Sequence, residues 1–551
     1  MDPHRKRPVN LPKAAINPSP LRTLRLCVKM AIGRLLRTVH YLKPTQIFYQ
    51  IWRRVQKRIE PHPKCATGEL PEFTFLNLTA RPKGWNDESL DMLWRYNLHY
   101  FDWLSSAESL TQRRRDAEYL IKRWTAENPR GSVPGWDPYP TSLRIVNWVK
   151  WLDGFNHGDQ VERGEGRRAS LSRVERVEDS LKEQIDWLAR HVEWHLMANH
   201  LMANLKALII GNRYLGRDYS RWMRLYREQV AEQIMPDGGH FERSVMYHAI
   251  ILEDMLDVMR LCGDEVEWLK SVTEKMLRYL VNMTGPDGKI AMFNDAASGI
   301  AKSTDWLCGY AKRLGIAVPA AETFVDFPET GYARLTAGDF VLFVDAAPIG
   351  PDYQPGHAHA DTLTYELYYK GRKVVTDTGT SEYRGRRRAY ERSTAAHNVV
   401  EIDQINSSEV WSSHRVGTRA RVVARHVEPG VVRAVHDGYG FQVGREWRLT
   451  GEGLTVVEKV EGNGTCVTRI HLTGEFFSRV EHVDRGGEFK ENRIHVENGE
   501  GEWIEEEFEY AVEFGKLKKG ICLSHGLDKS SEFRYEIVDR SQRSNSAILH
   551  T

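Results

Sequence analysis

Histidines and aspartates are crowded into one short stretch of this sequence, residues 353–379. His357, His359 and Asp361 follow one another in the order Pro-Gly-His-Ala-His-Ala-Asp, and Asp377 lies on the strand-like segment that returns. Imidazole and carboxylate groups transfer protons and bind metals, and a purely structural hairpin does not require so many of them. We therefore predict that this stretch forms half of an active site.

A second feature of the same region is a His, Asp, His set with even spacing. His359, Asp377 and His397 are about twenty residues apart and fall on segments with strand-like patterns. Nitrogen and oxygen donors that come from adjacent strands fit a zinc site. Spacing alone favours ordinary polar residues at strand ends, so the zinc interpretation needs further support.

Residues 194–204 supply further candidate groups from the first half of the chain. The pattern predicts an apolar helix in which His195 and Asn199, four residues apart, share one face, with His200 next in sequence. An amide or imidazole among leucines and methionines needs a polar partner or a substrate. The alternative is that neighbouring loops satisfy these groups.

Residues 236–248 form a glycine-containing turn that leads into another predicted helix. Glu242 and Arg243 are placed in its first turn, and Tyr247 follows about one turn later. A tyrosine beside an arginine or histidine can have its phenolate form favoured. Tyr247 is therefore either a catalytic group or a tyrosine packed in a helical core with its hydroxyl satisfied locally.

Residues 93–103 combine aromatic side chains with Asn, His and Asp, a composition typical of sugar-binding sites. Aromatic rings stack on the apolar faces of pyranoses, while polar groups bond the hydroxyls. A buried aromatic helix explains the same pattern equally well.

Farther along, a loop that enters a helix leaves Arg144 available to a carboxylate. The residues that we assign to substrate binding are Tyr96, Asn97, His99, Tyr100, Tyr139, Arg144, Glu242, Arg243 and Arg388.

Composition excludes several classes of protein. A chain that is 41% hydrophobic and 28% charged, with a net charge of +2, is globular and has no overall field that would attract nucleic acid. The six cysteines are far apart, so they indicate neither a disulfide framework nor a cysteine zinc site.

The N-terminus lacks the apolar core of a signal peptide, so we expect a bacterial cytoplasmic location or non-classical export.

The periodicity of the chain changes once, near residue 330. Residues 90–320 have the period of helices, whereas the remainder has the alternation of antiparallel strands, so we expect an α+β chain with a ligand cleft between its two halves. The boundaries that we expect are 1–60, 61–328 and 329–551. Residues 1–60 predict a basic amphipathic helix that lies on a membrane surface or packs on the body of the protein.

Taken together, these motifs resemble the heparinase II/III superfamily of polysaccharide lyases, from residue 94 to about residue 411. The Pro-Gly-His-Ala-His-Ala-Asp stretch is the most specific element of the resemblance. The resemblance implies an incomplete (α/α) toroid followed by an antiparallel β-sandwich. It also implies eliminative cleavage of a uronic-acid polysaccharide, either glycosaminoglycan-like or a bacterial exopolysaccharide. Many members are exported, and the N-terminus of this sequence departs from that pattern.

The resemblance also implies a role for each candidate residue. Asn199, with His200 beside it, matches the group that neutralises the uronate carboxylate, Tyr247 matches the catalytic tyrosine, and His357 matches the catalytic histidine. A structural zinc ion is implied as well. Its implied ligands are His359, Asp377 and His397.

The chemistry of elimination explains these residue types without reference to a family. Removal of the proton on C5 of a uronate builds negative charge beside a carboxylate, so the carboxylate must first be neutralised by hydrogen bonds or a proton. A base then takes the C5 proton while an acid protonates the departing O4, and we expect Tyr and His on the two sides of the sugar to serve these roles. No water attacks, so a pair of hydrolytic carboxylates is unnecessary.

Two other functions fit the sequence. A glycoside hydrolase on a similar helical scaffold would use carboxylates such as Asp102, Glu242 or Asp295. A catalytically silent protein of polysaccharide assembly would bind an anionic glycan and release no product. A lyase is distinguished from both because its unsaturated uronate product absorbs ultraviolet light.

Overall fold

The computed structural model shows a helical N-terminal half and an antiparallel C-terminal half, as the change of periodicity predicts. The residues that it describes are 31–60, 63–105, 110–158, 165–474, 481–483, 486–488, 494–498, 502–527 and 532–539. Among these residues, no helix is both long and apolar enough to cross a membrane.

Helices dominate the described chain as far as residue 313. They are α1 (Pro44–Ile59), α2 (Met92–Tyr100), α3 (Leu110–Glu127), α4 (Pro138–Gly158), α5 (Glu165–Leu188), α6 (Ala198–Tyr214), α7 (Ser220–Gln233), α8 (Val245–Cys262), α9 (Lys270–Asn282) and α10 (Thr304–Arg313), followed much later by α11 (Gly385–Glu391). Residues 31–39 are also helical. Short 3-10 helices occupy Asp102–Ser105, Gly263–Leu269 and Thr394–Ala396.

Helix α6 is the central element of the helical half. It is buried along most of its length, packed by α4, α7 and α8. The helix begins at Ala198, directly after Met197, whose φ is +61°. His195 therefore lies before the helix, and the predicted helical face shared by His195 and Asn199 is wrong.

Helix α8 carries Tyr247 and starts later than the sequence pattern predicts. Ser244 caps it, with its hydroxyl accepting a hydrogen bond from the Tyr247 amide at 3.2 Å, and the helix begins at Val245. Glu242 and Arg243 thus precede the helix instead of occupying its first turn, and Arg243 has a φ of +55°. The cap places the Tyr247 side chain in the first turn, at the edge of the helical half.

The strands form two large sheets, and each pairing among the described strands is antiparallel. Their bounds are β1 (Phe73–Phe75), β2 (Leu78–Ala80), β3 (Phe324–Phe327), β4 (Tyr332–Ala337), β5 (Phe340–Asp345), β6 (Tyr365–Tyr369), β7 (Arg372–Val375), β8 (Val400–Ile402), β9 (Val410–Trp411), β10 (Arg415–Val416), β11 (Val422–Glu428), β12 (Val431–His436), β13 (Val443–Leu449), β14 (Gly453–Val460), β15 (Cys466–Thr473), β16 (Glu481–Val483), β17 (Gly486–Glu488), β18 (Ile494–Asn498), β19 (Ile504–Glu513), β20 (Lys516–Leu527) and β21 (Glu532–Asp539). The first sheet has the order β19-β20-β15-β7-β6-β5-β4-β3, with β8 beside β15. The second has the order β11-β12-β13-β14-β21-β18-β17-β16.

One apolar core joins the two sheets. Leu342 and Leu367 of the first sheet belong to the same buried cluster as Trp447, Val456 and Tyr535 of the second. Buried residues alternate with less buried ones along β13 and β14, which turns one face of the second sheet toward this core. A second large core fills the helical half and reaches the first sheet through Phe327, Phe343 and Tyr368. Among the described residues, these are the two large cores that the length predicts.

The loop between β5 and β6 carries the histidine motif. His357 and His359 lie on this irregular loop and not on strands, so the extended hairpin predicted for them is wrong. The Asp361 carboxylate accepts a hydrogen bond from the Asn294 amide at 3.1 Å, and the Asn294 side chain accepts one from the His359 amide at 2.9 Å. These bonds hold the loop against the segment that connects α9 to α10.

We expect Gly331→Ala to destabilise the chain more than Gly288→Ala does. Both glycines have positive φ, +93° and +76°, but an added Cβ at Gly331 would lie 2.6 Å from the Cα of Ala347, whereas at Gly288 nothing lies within 4 Å. The backbone strain is thus common to both variants, and the clash adds about 1–3 kcal/mol to the loss at Gly331. Thermal unfolding followed by fluorescence measures the difference, and equal melting temperatures would contradict it.

Candidate active site

A cleft of about 1980 Å³ lies between the helical half and the sheet half. Helices α2, α4, α6 and α8 line one side, and residues from the loops of the sheet half line the other. The four predicted catalytic residues meet there. They are Asn199, His200, Tyr247 and His357.

Asp295 is the buried group on which this site is centred. Its carboxylate accepts hydrogen bonds from His357 Nδ1 at 2.8 Å, His359 Nε2 at 2.7 Å and Thr380 Oγ1 at 3.1 Å. Both terminal nitrogens of Arg388 also donate to it. Burial alone would raise the pKa of Asp295, but the Arg388 guanidinium and the histidine hydrogen bonds hold it well below its usual range. Asp295 is therefore a carboxylate that only accepts, which fixes the protons on His357 Nδ1 and His359 Nε2.

The rings of Tyr247 and His357 stack on each other, with centroids 3.8 Å apart. The Tyr247 hydroxyl lies 2.9 Å from the hydroxyl of Tyr383, which also lines the cleft. The expectation that the tyrosine and the histidine face each other across the sugar is wrong, because the stacked rings belong to one wall.

Burial keeps the Tyr247 phenol protonated. Desolvation, followed by the neighbouring Tyr383 hydroxyl and the Asp295 charge, raises the pKa of Tyr247 well above its usual value. The phenolate predicted from a neighbouring arginine is not supported, because Arg243 donates instead to the carbonyl groups of Thr330 and Glu329. Tyr247 is thus a proton donor in the substrate-free protein.

Asn199 connects the helical half to His357. Its amide nitrogen lies 3.1 Å from both carboxylate oxygens of Glu242 and 3.4 Å from His357 Nε2. Glu242 is fully buried behind Asn199 and is absent from the cleft wall formed by the described residues. Glu242 is therefore placed to orient the amide, which corrects its prediction as a substrate-binding residue.

His200 lines the cleft beside Asn199. Its Nδ1 lies 3.1 Å from the Glu193 carboxylate, and its ring centroid is 4.6 Å from that of Tyr139. Burial lowers the pKa of His200, but the Glu193 charge and hydrogen bond outweigh that effect and raise it. The cleft wall thus holds a histidine that favours its cationic form.

Behind the His357 loop, three buried groups have the geometry of a metal site. His359, Asp361 and His397 each offer a ligand atom, and these atoms lie within 4.8 Å of one another. His359 Nδ1 and His397 Nε2 are buried nitrogens with no hydrogen-bond partner among the described residues. Two unpartnered imidazole nitrogens beside a carboxylate fit a zinc ion.

Asp377, the predicted carboxylate ligand, occupies a different place. Both of its oxygens lie within 3.0 Å of His397 Nδ1, on the side of the ring away from the unpartnered Nε2. A carboxylate bonded to the second nitrogen of a ligating histidine is a common outer partner in metal sites. The arrangement favours Asp361 as the carboxylate ligand, with Asp377 orienting His397.

Of the predicted substrate-binding residues, four line the cleft. They are Tyr96, Asn97, Tyr100 and Tyr139. Arg243 and Arg388 are absent from the wall that the described residues form, and Arg388 instead holds Asp295.

His99 and Arg144 are core residues, which corrects their prediction as sugar ligands. His99 is fully buried between the Trp85 carbonyl and the Trp124 indole nitrogen, each 2.9 Å from a ring nitrogen. Arg144 is also fully buried, donates to Gln184 and to the Gly135 carbonyl, and stacks on Trp124. Their polar atoms are satisfied inside the helical half.

Two groups of the site, Tyr383 and His414, had no recognised signal in the sequence, and the role of a third, Asp295, was not recognised. Tyr383 and His414 both line the cleft near His357, and Asp295 orients that histidine. Asp295 fits the sequence only as a possible hydrolytic carboxylate, yet its oxygens are fully occupied by buried donors.

Comparison with known proteins identifies the family of the chain. The family model described as heparinase II/III N-terminus matches residues 175–313, and the one described as heparinase II/III-like, C-terminal, matches residues 319–528. The heparin-sulfate lyase of Bacteroides thetaiotaomicron is 24% identical over 366 residues, which are 56% of this chain and 50% of that protein. The heparin-sulfate lyase of Pedobacter heparinus is 24% identical over 358 residues, 57% of this chain and 52% of that protein.

Solved structures show the same fold. A crystal structure of heparinase III superposes with a TM-score of 0.61 at 19% identity, covering 81% of this chain and 76% of that one. A heparan sulfate lyase of Pedobacter heparinus superposes with a TM-score of 0.56 at 17% identity, covering 81% and 77%. The chain spans about half the length of the curated relatives it matches. Since the two family models follow each other along most of residues 175–528, the chain belongs to the heparinase II/III family.

Proposed function

We propose that this protein is a polysaccharide lyase that cleaves a uronic-acid polysaccharide by β-elimination. The observation that carries the proposal is the stack of Tyr247 on His357, with His357 Nδ1 held by the buried Asp295 carboxylate. The named activity of the relatives, heparin-sulfate lyase, is consistent with it. A glycosaminoglycan or a bacterial exopolysaccharide with uronate residues is the partner that this chemistry requires.

His357 is the base in this proposal. Because its Nδ1 donates a proton to Asp295, the lone pair is on Nε2, which lies 3.4 Å from the Asn199 amide nitrogen. A neutral imidazole with one fixed tautomer can take the C5 proton without rearrangement. The same bond to Asp295 stabilises the imidazolium that results.

Asn199 and His200 neutralise the uronate carboxylate. They are adjacent in sequence at the start of α6, and the first lies against the base while the second lines the cleft. Glu193 favours a cationic His200, and Glu242 holds the Asn199 amide. Charge that develops on the carboxylate during proton removal is then met by donors already in place.

Tyr247 is the acid that protonates the departing O4. Burial keeps its phenol protonated, and the Tyr383 hydroxyl 2.9 Å away is a partner from which the proton can be replaced. The acid and the base therefore act from one wall of the cleft. A substrate whose C5 hydrogen and O4 project from the same face of the sugar satisfies that geometry, as in glucuronate.

We also propose that zinc binds His359, Asp361 and His397, with Asp377 as the outer partner of His397. When bound, the ion would tie the His357 loop to the segment after the 3-10 helix Thr394–Ala396, a structural role. Burial lowers the pKa of His359 to about 3, which keeps that imidazole in the neutral form that ligates metals.

For the fold, we propose the incomplete (α/α) toroid and the β-sandwich that the resemblance implies. The buried helix α6, packed by α4, α7 and α8, supports the first, and the single core shared by the two sheets supports the second. The predicted domain boundary at residues 328/329 lies just after β3, which already belongs to the first sheet, so we propose a boundary between residues 313 and 324. The last helix before the sheets ends at Arg313 and the first strand of the large sheets begins at Phe324.

Tyr247→Phe should abolish turnover while polysaccharide binding persists. The change removes the acidic hydroxyl and leaves the stack on His357, so kcat should fall by about 100-fold or more with little change in binding. Ultraviolet absorbance of the unsaturated product measures turnover. Tyr310→Phe is a matched control, because that cleft tyrosine bonds Asp257, well away from His357. Activity above about a tenth of wild type in Tyr247→Phe would remove Tyr247 from the reaction.

Asn199→Ala should lower kcat more than it raises KM. The amide acts most strongly when charge has developed on the carboxylate, so the loss should appear in the transition state. Initial rates over a range of substrate concentrations separate the two constants. An effect confined to KM would show that Asn199 only binds the ground state.

A glucuronate polymer should be cleaved at least about 100-fold faster than the same polymer after C5 epimerisation to iduronate. Epimerisation moves the C5 hydrogen to the face opposite O4, where a base and an acid on one wall cannot both reach. The two polymers differ in one stereocentre, so each is the control for the other. Equal rates would show that acid and base act from different sides.

Elemental analysis should find about one zinc ion per chain, and chelation should lower the melting temperature. Asp361→Asn should lose the metal, whereas Asp377→Asn should retain it with affinity about 10–100-fold weaker. If Asp377→Asn loses the metal and Asp361→Asn retains it, Asp377 is the ligand as first predicted. Metal-free protein with an unchanged melting temperature would exclude the site.

A further inference from the structure

Helix α1 (Pro44–Ile59) has its apolar face turned toward solvent. Phe48 is 61% exposed, Ile51 59%, Trp52 47% and Ile59 70%. These residues recur at helical spacing and form one stripe. The buried residues of the helix are instead polar, Gln46 and Gln56.

Polar contacts hold the helix in this orientation. The Gln46 amide donates to the Tyr353 carbonyl at 3.2 Å, and Lys43, at the N-cap, pairs with Glu232. At the other end, the Glu60 carboxylate lies 2.9 Å from His191 Nε2. The helix is thus packed on the body of the protein, one of the two alternatives that the sequence offers, but it packs through its polar side.

The helical residues 31–39 also turn apolar side chains toward solvent and a polar side chain inward. Ile32, Leu35 and Leu36 are exposed, while Thr38 is buried and accepts a hydrogen bond from the Trp411 indole at 3.1 Å. Arg37 pairs with Glu409 at 2.8 Å. Two consecutive helical segments therefore present large apolar side chains to solvent.

The charge of this region is strongly positive. The described residues 31–59 contain seven lysines and arginines and no acidic residue, although the whole chain has a net charge of only +2. Helix α1 contains no acidic residue. Arg54 and Arg58 are exposed and follow Ile51 and Val55 by three residues, so they flank the apolar stripe.

We propose that the apolar stripe of α1 docks on the surface of a bilayer that contains anionic lipids. Apolar side chains including tryptophan, flanked by arginines, are the composition of helices that lie at the interface between headgroups and acyl chains. With 16 residues, α1 is shorter than the roughly 20 that a spanning helix needs, so it lies on the bilayer. Charge selects lipid over a second copy of this chain, because two such faces in contact would bring their arginines together.

Vesicle sedimentation with the full chain tests the proposal. We expect binding to vesicles of phosphatidylcholine with phosphatidylglycerol, and at least about tenfold weaker partitioning of a triple variant, Phe48→Ser with Ile51→Ser and Trp52→Ser. All three side chains are exposed, so the melting temperature should not change. The matched control is Ile405→Ser with Ile504→Ser, at two isoleucines that are 59% and 61% exposed elsewhere, and it should bind as the wild type does.

A second pair of variants and the oligomeric state complete the test. Arg54→Glu with Arg58→Glu should weaken binding to the anionic vesicles, and wild-type binding to pure phosphatidylcholine should be weaker than to the mixture. If the arginine variant loses binding while the apolar triple variant binds as the wild type does, the proposal is overturned in favour of a purely electrostatic polyanion site. A wild-type dimer by light scattering that the triple variant dissociates, without vesicle binding, would assign the stripe to a second copy. No binding and no dimer would overturn it outright.

Discussion

The carboxylate of Asp295 is the interaction on which the site depends. It belongs to the segment between α9 and α10 of the helical half, yet its donors His357, His359 and Arg388 come from the sheet half. Its backbone amide also donates to the His357 carbonyl at 3.0 Å. Removing one partner of a buried ion pair costs about 3–5 kcal/mol, because the other charge is left unpaired. One residue thus joins the two halves at the point where the cleft, the base and the candidate metal ligands meet.

Much of this site could be predicted from the sequence, since residue type and resemblance bring together Asn199, Tyr247 and His357. The sequence does not predict which polar side chains are buried in the core. His99 lies in an aromatic stretch that fits sugar binding, but the Trp85 carbonyl and Trp124 indole occupy both of its ring nitrogens. Those partners are distant in sequence and leave no local pattern. The order of helices and strands was accessible because periodicity is a local property.

The orientation of helix α1 is also a property that its sequence does not predict. Its sequence predicts an apolar face and a polar face, and the usual expectation is that the apolar face packs inward. The polar partners of Lys43, Gln46 and Glu60 are supplied by segments 130 or more residues away in sequence, and they determine which face is outward. Amphipathicity therefore defines two faces, whereas tertiary contacts decide their direction.

The aromatic lining of the cleft has a consequence for how a long chain would move through it. Tyr96 and Tyr100 have ring centroids 6.5 Å apart, and Tyr100 and Tyr139 have centroids 6.0 Å apart. Rings hold a pyranose by its apolar face and make few demands on the pattern of its hydroxyls. A polymer held this way can slide by one repeat after a cut without dissociating. For the lyase that we propose, the row of tyrosines favours processive action, with selectivity left to the proton-transfer groups.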